Sequence, residues 1–216
     1  IATNGKLGQV VTFATPKRWR DVEPTFHREA TKLLAGRKVT IAIGGVPGTL
    51  DPRQEILIRA SNLRGWDKAP IAKTLRRAFA VSRVRLENDA NLAGLGEAIY
   101  GSGKGYRIVG YIGVGTGVGG TRIVDQKLDA AAAGFRPGHQ IIDRSSKALC
   151  GCGQRGDLES LISGSGLARQ YRRSAETLPA SVFQAAAKNL GIGLNNLTVL
   201  WMPDVIVLGG SVLPRL

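Results

Sequence analysis

The chain has 216 residues, 43% of them hydrophobic and 21% charged, and a net charge of +14 from 30 basic and 16 acidic side chains. This balance is typical of a folded protein and excludes a disordered one, and no apolar run reaches the roughly 20 residues that a membrane-spanning helix needs. The basic excess favours polyanionic partners such as nucleotides, polyphosphate or nucleic acid, with a solvated basic face as the alternative.

Hydrophobic periodicity predicts strands that alternate with helices along the chain. In chain order, the predicted strands cover residues 7–14, 38–44, 55–60, 83–87, 108–115, 119–124 and 205–208. The predicted helices cover residues 22–35, 69–80, 90–100, 158–171 and 181–201. The alternation indicates an α/β architecture. Residues 1–87 carry 17 Lys or Arg against 7 Asp or Glu, and because this excess falls off near residue 88 we predict two lobes, 1–87 and 88–216.

Two glycine-rich turns follow predicted strands. Residues 113–120 contain five glycines around Thr116. Glycines let a backbone turn tightly and bring its N–H groups against phosphate oxygens, and the threonine hydroxyl adds a donor. A plain hairpin turn is the alternative. The second turn contains Gly209 and Gly210, and it lies at the carboxyl end of a strand, where ligands gather in α/β sheets.

Asp89 stands where a predicted strand ends and a predicted helix begins. An acid at such a junction commonly serves only to cap the helix. The other interpretation is a catalytic base that holds an attacking sugar hydroxyl and receives its proton in phosphoryl transfer. Asn88 and Asn91 flank it and could hydrogen-bond sugar hydroxyls.

Cys150 and Cys152 are the two cysteines of the chain. A single residue separates them, a spacing poorly suited to a mutual disulfide, and thiols without a distant partner suit the reducing cytoplasm. Imidazole, thiolate and carboxylate are zinc ligands, and four of them close a tetrahedral structural site. His139, Cys150, Cys152 and Asp157 could supply that set, with two reduced structural thiols as the alternative.

Taken in order, these motifs resemble the ROK family of bacterial repressors and sugar kinases, which includes glucokinases, fructokinases and N-acetylhexosamine kinases. The similar segments are residues 45–51, 62–66, 87–90, 115–120, 150–159 and 207–210. The resemblance runs over nearly the whole chain. It implies an α/β protein of the actin-like (ribonuclease H-like) fold, with two lobes and a sugar in the cleft between them, and it implies ATP-dependent phosphorylation of a hexose or N-acetylhexosamine hydroxyl.

The resemblance also assigns roles by position. Asp89 would be the base. The sugar-binding residues would be Asn62, Asn88, His139 and Glu159, and His139 would also be a zinc ligand. The transferring phosphates would be held by Gly115, Thr116 and Gly117. The adenosine side of the site would contain Gly209 and Gly210, and Mg²⁺ would be bound to the ATP. Polyphosphate is the alternative donor, and dimerisation is common in the family, so a homodimer is one expectation.

Several features depart from the family pattern. The family's Asp-x-Gly-Gly-Thr phosphate loop would precede Ile1, and its closing helix would follow residue 216, so we expect the fold to be incomplete at both ends. Arg136 stands where the family has a sugar-gripping Glu, and a guanidinium can donate hydrogen bonds but never accept them. Asp157 replaces the family's third zinc cysteine.

These departures keep two alternatives open beside the kinase. One is a sugar-sensing transcriptional regulator, because the family includes repressors that carry a helix-turn-helix segment ahead of the kinase-like part. Without such a segment, a nucleic-acid partner is not expected. The other alternative is a catalytically inactive relic or interaction domain, which Arg136 and the lost phosphate loop favour.

Overall fold

The computed structural model describes residues 8–60, 63–130 and 135–216. The chain divides into two compact units, Ile1–Asn88 and Asp89–Leu216. The sequence-based division placed Asn88 in the second lobe, whereas here it closes the first unit. None of the helices in the described ranges is long and apolar enough to cross a membrane.

Within residues 8–60 and 63–88, the first unit contains two α-helices and four strands. In chain order these are α1 (Val22–Leu34), β1 (Ile41–Val46), β2 (Thr49–Leu50), β3 (Leu57–Arg59), α2 (Ile71–Ala78) and β4 (Arg83–Asn88). Strands β1 and β4 are parallel, from Ile41 opposite Arg83 to Val46 opposite Asn88, and β2 pairs antiparallel with β3. The core consists of fully or nearly buried apolar residues that include Val22, Leu57, Trp66, Ile71 and Leu86.

The predicted first strand, residues 7–14, is wrong for the part that the structure describes. Residues 8–14 form neither strand nor helix, and residue 7 lies outside the described ranges. The alternation that suggested a strand has no buried face to support it, because Val10 is 76% exposed and Phe13 is 38% exposed. A period-two pattern specifies a strand only where one face is covered. Phe13 instead makes an edge-to-face contact with Phe26 of α1.

The second unit is built on a four-stranded sheet. Its elements are α3 (Asp89–Tyr100), β5 (Ile108–Val114), β6 (Val118–Val124), β7 (Lys127–Leu128), α4 (Leu158–Ile162), α5 (Gly164–Tyr171), α6 (Ala180–Trp201) and β8 (Val205–Gly209). The strand order is β7-β6-β5-β8. β5 runs antiparallel to β6 and parallel to β8.

Helices cover both faces of this sheet. On one face, Val109 and Tyr111 of β5 contact the cluster that includes Ala98 of α3. On the other face, Ile112 and Val114 pack with residues of α4 and α6. Coverage on both faces explains why β5 is apolar almost throughout rather than alternating.

The helix predicted over residues 158–171 is two helices. α4 ends and α5 begins at Ser163, whose side chain accepts a hydrogen bond from the amide of Gly166 at 3.0 Å. A serine that caps a new helix start competes with continuation of the preceding helix. The remaining predicted helices, and the predicted strands other than the first, are present with ends that shift by up to three residues.

Candidate functional site

The glycine-rich turn between β5 and β6 is fixed against the start of α5. Gly115 donates its amide to the carbonyl oxygen of Gly117 at 2.9 Å. The carbonyl oxygens of Gly115 and Thr116 accept the amides of Gly164 and Ser165, at 2.9 and 3.1 Å. Within the described part of the chain, the amides of Thr116 and Gly117 donate to no backbone carbonyl. The turn therefore directs two carbonyls towards α5 and keeps two amides available for an anion.

The second glycine turn lies at the same edge of the sheet. Gly209 ends β8 directly opposite Gly113 of β5. Gly210 has a φ of +108°, and a Cβ at this position would collide with the carbonyl of Val114. The amide of Val212 then donates to that same carbonyl at 3.0 Å. Only glycine fits at residue 210, because the backbone is left-handed and closely approached.

A cavity of about 330 Å³ lies beside both turns. Its lining includes Gly115 and Thr116 of the first turn and Ser211, which directly follows the second. Ser165 of α5 also lines it, and its buried hydroxyl has no hydrogen-bond partner among the described residues. This volume falls at the lower end of the range for small-molecule sites.

Phe183 and Arg215 also line the cavity. The Cζ atom of Arg215 lies 3.9 Å from the ring centroid of Phe183, a cation–π contact. The same guanidinium donates to the carbonyls of Ala175 and Leu178 at 2.9 and 3.1 Å. These contacts fix the position of the guanidinium group.

Asp89 is the first residue of α3 and is exposed. Its Oδ1 accepts the amide of Ala90 at 2.9 Å. Ala90 in turn lies against β6, since a Cβ added at Gly119 would come within 2.8 Å of the Cβ of Ala90. The start of α3 therefore contacts β6, the strand that follows the glycine-rich turn at residues 115–117.

The four predicted zinc ligands converge. The ligand atoms of His139, Cys150, Cys152 and Asp157 all lie within 4.8 Å of one another. Asp157 Oδ2 is 3.1 Å from His139 Nδ1 and 3.7 Å from Cys152 Sγ, and Cys150 Sγ is 3.7 Å from His139 Nδ1. Zinc bonds of about 2.0–2.3 Å in a tetrahedron place neighbouring ligand atoms roughly 3.3–3.8 Å apart. The donor set suits a zinc ion, and the two distances of 3.7 Å match this spacing, while His139 and Asp157 lie at hydrogen-bonding distance.

Burial and hydrogen bonding set the charges of this cluster. Burial raises the pKa of the Cys150 thiol. Burial also acts to raise the pKa of Asp157, but hydrogen bonds with His139, Cys150 and Ser160 outweigh it and hold this pKa at about 2. The hydrogen bond with Asp157 raises the pKa of His139, against the opposing effect of burial. Without metal, these contacts favour an ionised Asp157 and make His139 easier to protonate than an isolated imidazole.

Glu159 contacts both the cluster that contains Cys150 and Val118, the residue that follows the glycine-rich turn at residues 115–117. It is buried, with 8% of its surface exposed. Its Oε1 accepts from Cys150 Sγ at 3.4 Å, and its Oε2 accepts the amide of Val118 at 2.9 Å. Both oxygens of this predicted sugar ligand are therefore engaged by protein groups.

Of the two remaining predicted sugar ligands, Asn62 and Asn88, the structure describes Asn88. Asn62 lies outside the described residues. Asn88 donates from its side-chain amide to the carbonyl of Gly48 at 3.1 Å, within the first unit. Arg136 is exposed, precedes the helical turn Pro137–His139, and donates to the carbonyl of Phe135 at 2.9 Å.

Sequence reasoning did not select Ser165, Phe183 or Arg215. They come from α5, α6 and the segment after β8, and no local motif joins them. The only signal was the run of small residues in Ser163-Gly164-Ser165-Gly166, which favours a helix start beside a ligand.

Comparison with known proteins gives concordant matches. The sequence model of the ROK family matches residues 25–215. The xylose repressor of Caldicellulosiruptor bescii is 29% identical over 207 residues, covering 81% of this chain and 51% of the repressor. The glucokinase of Halalkalibacterium halodurans is 30% identical over 205 residues, covering 80% of this chain and 62% of the glucokinase. The chain thus spans about half to three-fifths of the length of these relatives.

A solved structure agrees over the full chain. A ROK family glucokinase from Streptomyces griseus, in complex with glucose and AMPPNP, superposes with a TM-score of 0.82 at 25% identity. The match covers 100% of this chain and 79% of the glucokinase.

Proposed function

The chain belongs to the ROK family and has the actin-like, ribonuclease H-like α/β fold that its sequence predicted, and from this premise we propose that it contributes the nucleotide site and catalytic base of a sugar kinase. The reaction is ATP-dependent phosphorylation of a hexose or N-acetylhexosamine hydroxyl. The observation that carries the proposal is the cavity beside two glycine turns, in which the carbonyls of Gly115 and Thr116 are tied to α5 while two amides are left for phosphate.

In this proposal the turn at residues 115–117 binds phosphates of Mg·ATP through the amides of Thr116 and Gly117. The turn at Gly209 and Gly210 closes the nucleotide side of the cavity. Phosphoryl transfer depends mainly on positioning and on neutralising charge. Amides fixed by hydrogen bonds on their carbonyl side need no reordering when the nucleotide arrives.

Asp89 acts as the base. The sugar hydroxyl oxygen forms a bond to the γ-phosphorus as the bond to the ADP oxygen breaks, and the hydroxyl proton passes to the Asp89 carboxylate. Its position at the first residue of α3, beside the strand that follows the phosphate-binding turn, supports this role. Asn62, Asn88, His139 and Glu159 remain the proposed sugar-side residues.

The cluster of His139, Cys150, Cys152 and Asp157 is proposed to hold Zn²⁺. When bound, the metal supplies a structural crosslink among four ligands and takes no part in the transfer. The side chain of Asp157 replaces a thiolate with a carboxylate oxygen, which zinc accepts. The ligand spacing described above supports this assignment.

A coupled assay of ADP release tests the kinase. Zinc-loaded protein is supplied with Mg·ATP and, in turn, with glucose, mannose, fructose and N-acetylhexosamines, and polyphosphate replaces ATP in a parallel series. Saturable ADP release with one sugar is the expected result. If no sugar gives ADP release with ATP and none gives sugar phosphate with polyphosphate, a kinase function for this chain is contradicted.

A sugar-sensing regulator is the second candidate, favoured by the match to a xylose repressor over 81% of the chain. It predicts saturable sugar binding, measured by calorimetry, with no ADP release. An inactive relic predicts neither sugar binding nor ADP release, so the same two measurements separate all three functions.

A further inference from the structure

We propose that Arg215 is a specificity-determining residue, whose planar guanidinium group stacks on the base of the nucleotide and makes the cavity select a nucleoside triphosphate over inorganic polyphosphate. This inference rests on the proposed function, since it assumes that the nucleotide lies in the cavity lined by Gly115 and Thr116. It assigns the choice of phosphate donor to a side chain outside both glycine-rich turns.

The first observation is that Arg215 and the glycine-rich turn between β5 and β6 line the same cavity. The residues that line this cavity of about 330 Å³ include Gly115, Thr116 and Arg215. Arg215 belongs to the helical turn that follows the second glycine turn. A ligand that fills the cavity therefore contacts both the turn at residues 115–117 and Arg215.

The second observation is how the guanidinium group is presented to the cavity. Its Cζ atom lies over the ring of Phe183, so this ring occupies one face of the group. Phe183 is 2% exposed, whereas Arg215 is an exposed residue. A ligand that stacks on the guanidinium group therefore does so on the face opposite Phe183. Guanidinium planes are surfaces on which nucleobases stack.

The third observation favours a base over a phosphate as the group that Arg215 binds. Guanidinium groups bind phosphate through the N–H groups at their edge, often in bidentate pairs. Here two of the three guanidinium nitrogens already donate to the carbonyls of Ala175 and Leu178, at 2.9 and 3.1 Å. Glu176, an acidic residue beside Ala175, lines the same cavity and repels phosphate. These contacts leave the face of the guanidinium group, which suits a planar base.

Stacking discriminates between the two donors because ATP has a base and polyphosphate has none. Both donors offer similar phosphate groups to the turn at residues 115–117, so contacts with this turn give little discrimination, which is a difference of affinities. A base stacked on Arg215 adds affinity that polyphosphate cannot gain. A factor of at least about five is expected, the lower end of the contribution of one stacked base.

The experiment compares Mg·AMPPNP, a probe with a base, with Mg·tripolyphosphate, a probe without one. The dissociation constants of both probes are measured by calorimetry on the full 216-residue chain and on its variants. Arg215→Ala should weaken binding of Mg·AMPPNP by at least about fivefold. Binding of Mg·tripolyphosphate should stay within about twofold of the parent, because the contact that is lost is one with the base.

Two further variants separate the plane of the side chain from its charge. Arg215→Lys keeps the charge and loses the plane, so it should weaken binding of Mg·AMPPNP nearly as much as Arg215→Ala does. Arg173→Ala is the matched control for loss of charge. Arg173 is also exposed and donates to a carbonyl of the same segment, that of Thr177 at 3.5 Å, and it lies outside the set of described residues that line the cavity. This control should leave both dissociation constants within about twofold of the parent, because it removes an equal charge but no stacking surface.

The outcomes distinguish this inference from the proposed function. If Arg215→Ala weakens both probes equally or neither, or if Arg215→Lys keeps the parental affinity for Mg·AMPPNP, the stacking is wrong and the nucleotide site stands. If the parent binds neither probe, both proposals are wrong.

Should Arg215→Ala fail to fold, nuclear magnetic resonance of the parent decides. The ring current of a stacked base shifts the Nε–H resonance of Arg215, so Mg·AMPPNP should move this resonance and Mg·tripolyphosphate should not. An equal shift with both probes, or no shift with either, would overturn the stacking.

Discussion

Gly164 donates its backbone amide to the carbonyl oxygen of Gly115 at 2.9 Å, so the first residue of α5 is hydrogen-bonded to the first residue of the glycine-rich turn at residues 115–117. The next residue, Ser165, repeats the contact with Thr116 at 3.1 Å. Among the described residues, the buried hydroxyl of Ser165 has no partner. An unpaired buried hydroxyl lowers stability, and a ligand group that pairs with it recovers the loss on binding.

Replacement of Ser165 by Ala should therefore have opposite effects on stability and on binding. Without ligand, Ser165→Ala should raise the free energy of unfolding by about 1 kcal/mol. Binding of Mg·AMPPNP should weaken by roughly three- to tenfold, because one hydrogen bond to the ligand is lost. Urea unfolding and calorimetry measure the two effects. Reduced stability with unchanged binding would contradict the assignment of this hydroxyl to the nucleotide site.

Ser163→Ala provides the contrast two residues earlier. Its hydroxyl caps α5 by accepting the amide of Gly166 at 3.0 Å, so its loss should destabilise the protein by about 1 kcal/mol. The two serines thus predict shifts of opposite sign in the same unfolding experiment.

Gly210 should not tolerate a side chain. Its φ of +108° and the nearby carbonyl of Val114 predict that Gly210→Ala lowers the free energy of unfolding by more than about 1 kcal/mol. Gly191→Ala is the control, because a Cβ at this exposed position in α6 meets no atom within 4 Å. It should stabilise the protein by about 0.5–1 kcal/mol through helix propensity. Equal effects of the two substitutions would show that the turn is not constrained as described.

Asp89→Asn should lower the turnover number by about two to four orders of magnitude, the contribution of a positioned base. The amide keeps the shape of the side chain but cannot take up the hydroxyl proton. Affinity for Mg·AMPPNP should stay within about twofold of the parent, since Asp89 is assigned no contact with the nucleotide. Turnover equal to that of the parent would mean that another residue is the base.

The stability of zinc-free protein should depend on pH through Asp157 and His139. The pKa of Asp157 is lowered from 3.8 to about 2, so its contribution of about 2 kcal/mol is present above pH 4 and lost as the pH falls towards 2. The pKa of His139 is raised above 6.5, so its contribution is present below pH 6.5 and lost as the pH rises through the raised value. The pair therefore stabilises the fold most between about pH 4 and 6.5.

Urea unfolding of chelator-treated protein from pH 2 to 9 measures this profile. Asp157→Asn should flatten both limbs, because it removes the acid and the partner of His139. A parental profile that rises steadily from pH 5 to 8 would contradict the ion pair.

Much of the fold follows from local pattern, and the errors have physical causes. The apolar runs of β5 and β8 predict buried strands because both faces are covered in the folded unit. Residues 8–14 belong to a predicted strand with an alternating pattern, but they have no covered face, which the sequence alone does not reveal. The sequence does not decide between one helix and two around Ser163, because capping by its side chain competes with continuation of the helix.

The candidate site likewise has a part that the sequence predicts and a part that depends on tertiary packing. Glycine turns and the His139, Cys150, Cys152 and Asp157 set are visible because spacing and residue type carry the information. The contact of Glu159 with Val118 joins residues 41 positions apart, and the Phe183–Arg215 wall joins α6 to the segment after β8. Such convergence depends on tertiary packing, which short motifs do not encode.

The side chain at position 157 makes two different contacts, and together they limit which amino acids can stand there. One of its oxygens caps α4 and the other faces the cluster. Good capping residues are Asn, Asp, Ser, Thr and Gly, while zinc is bound by Cys, His, Asp and Glu. Aspartate is the one amino acid common to both sets, so a thiolate ligand at this position would give up the side-chain cap of α4, at a cost of about 1 kcal/mol.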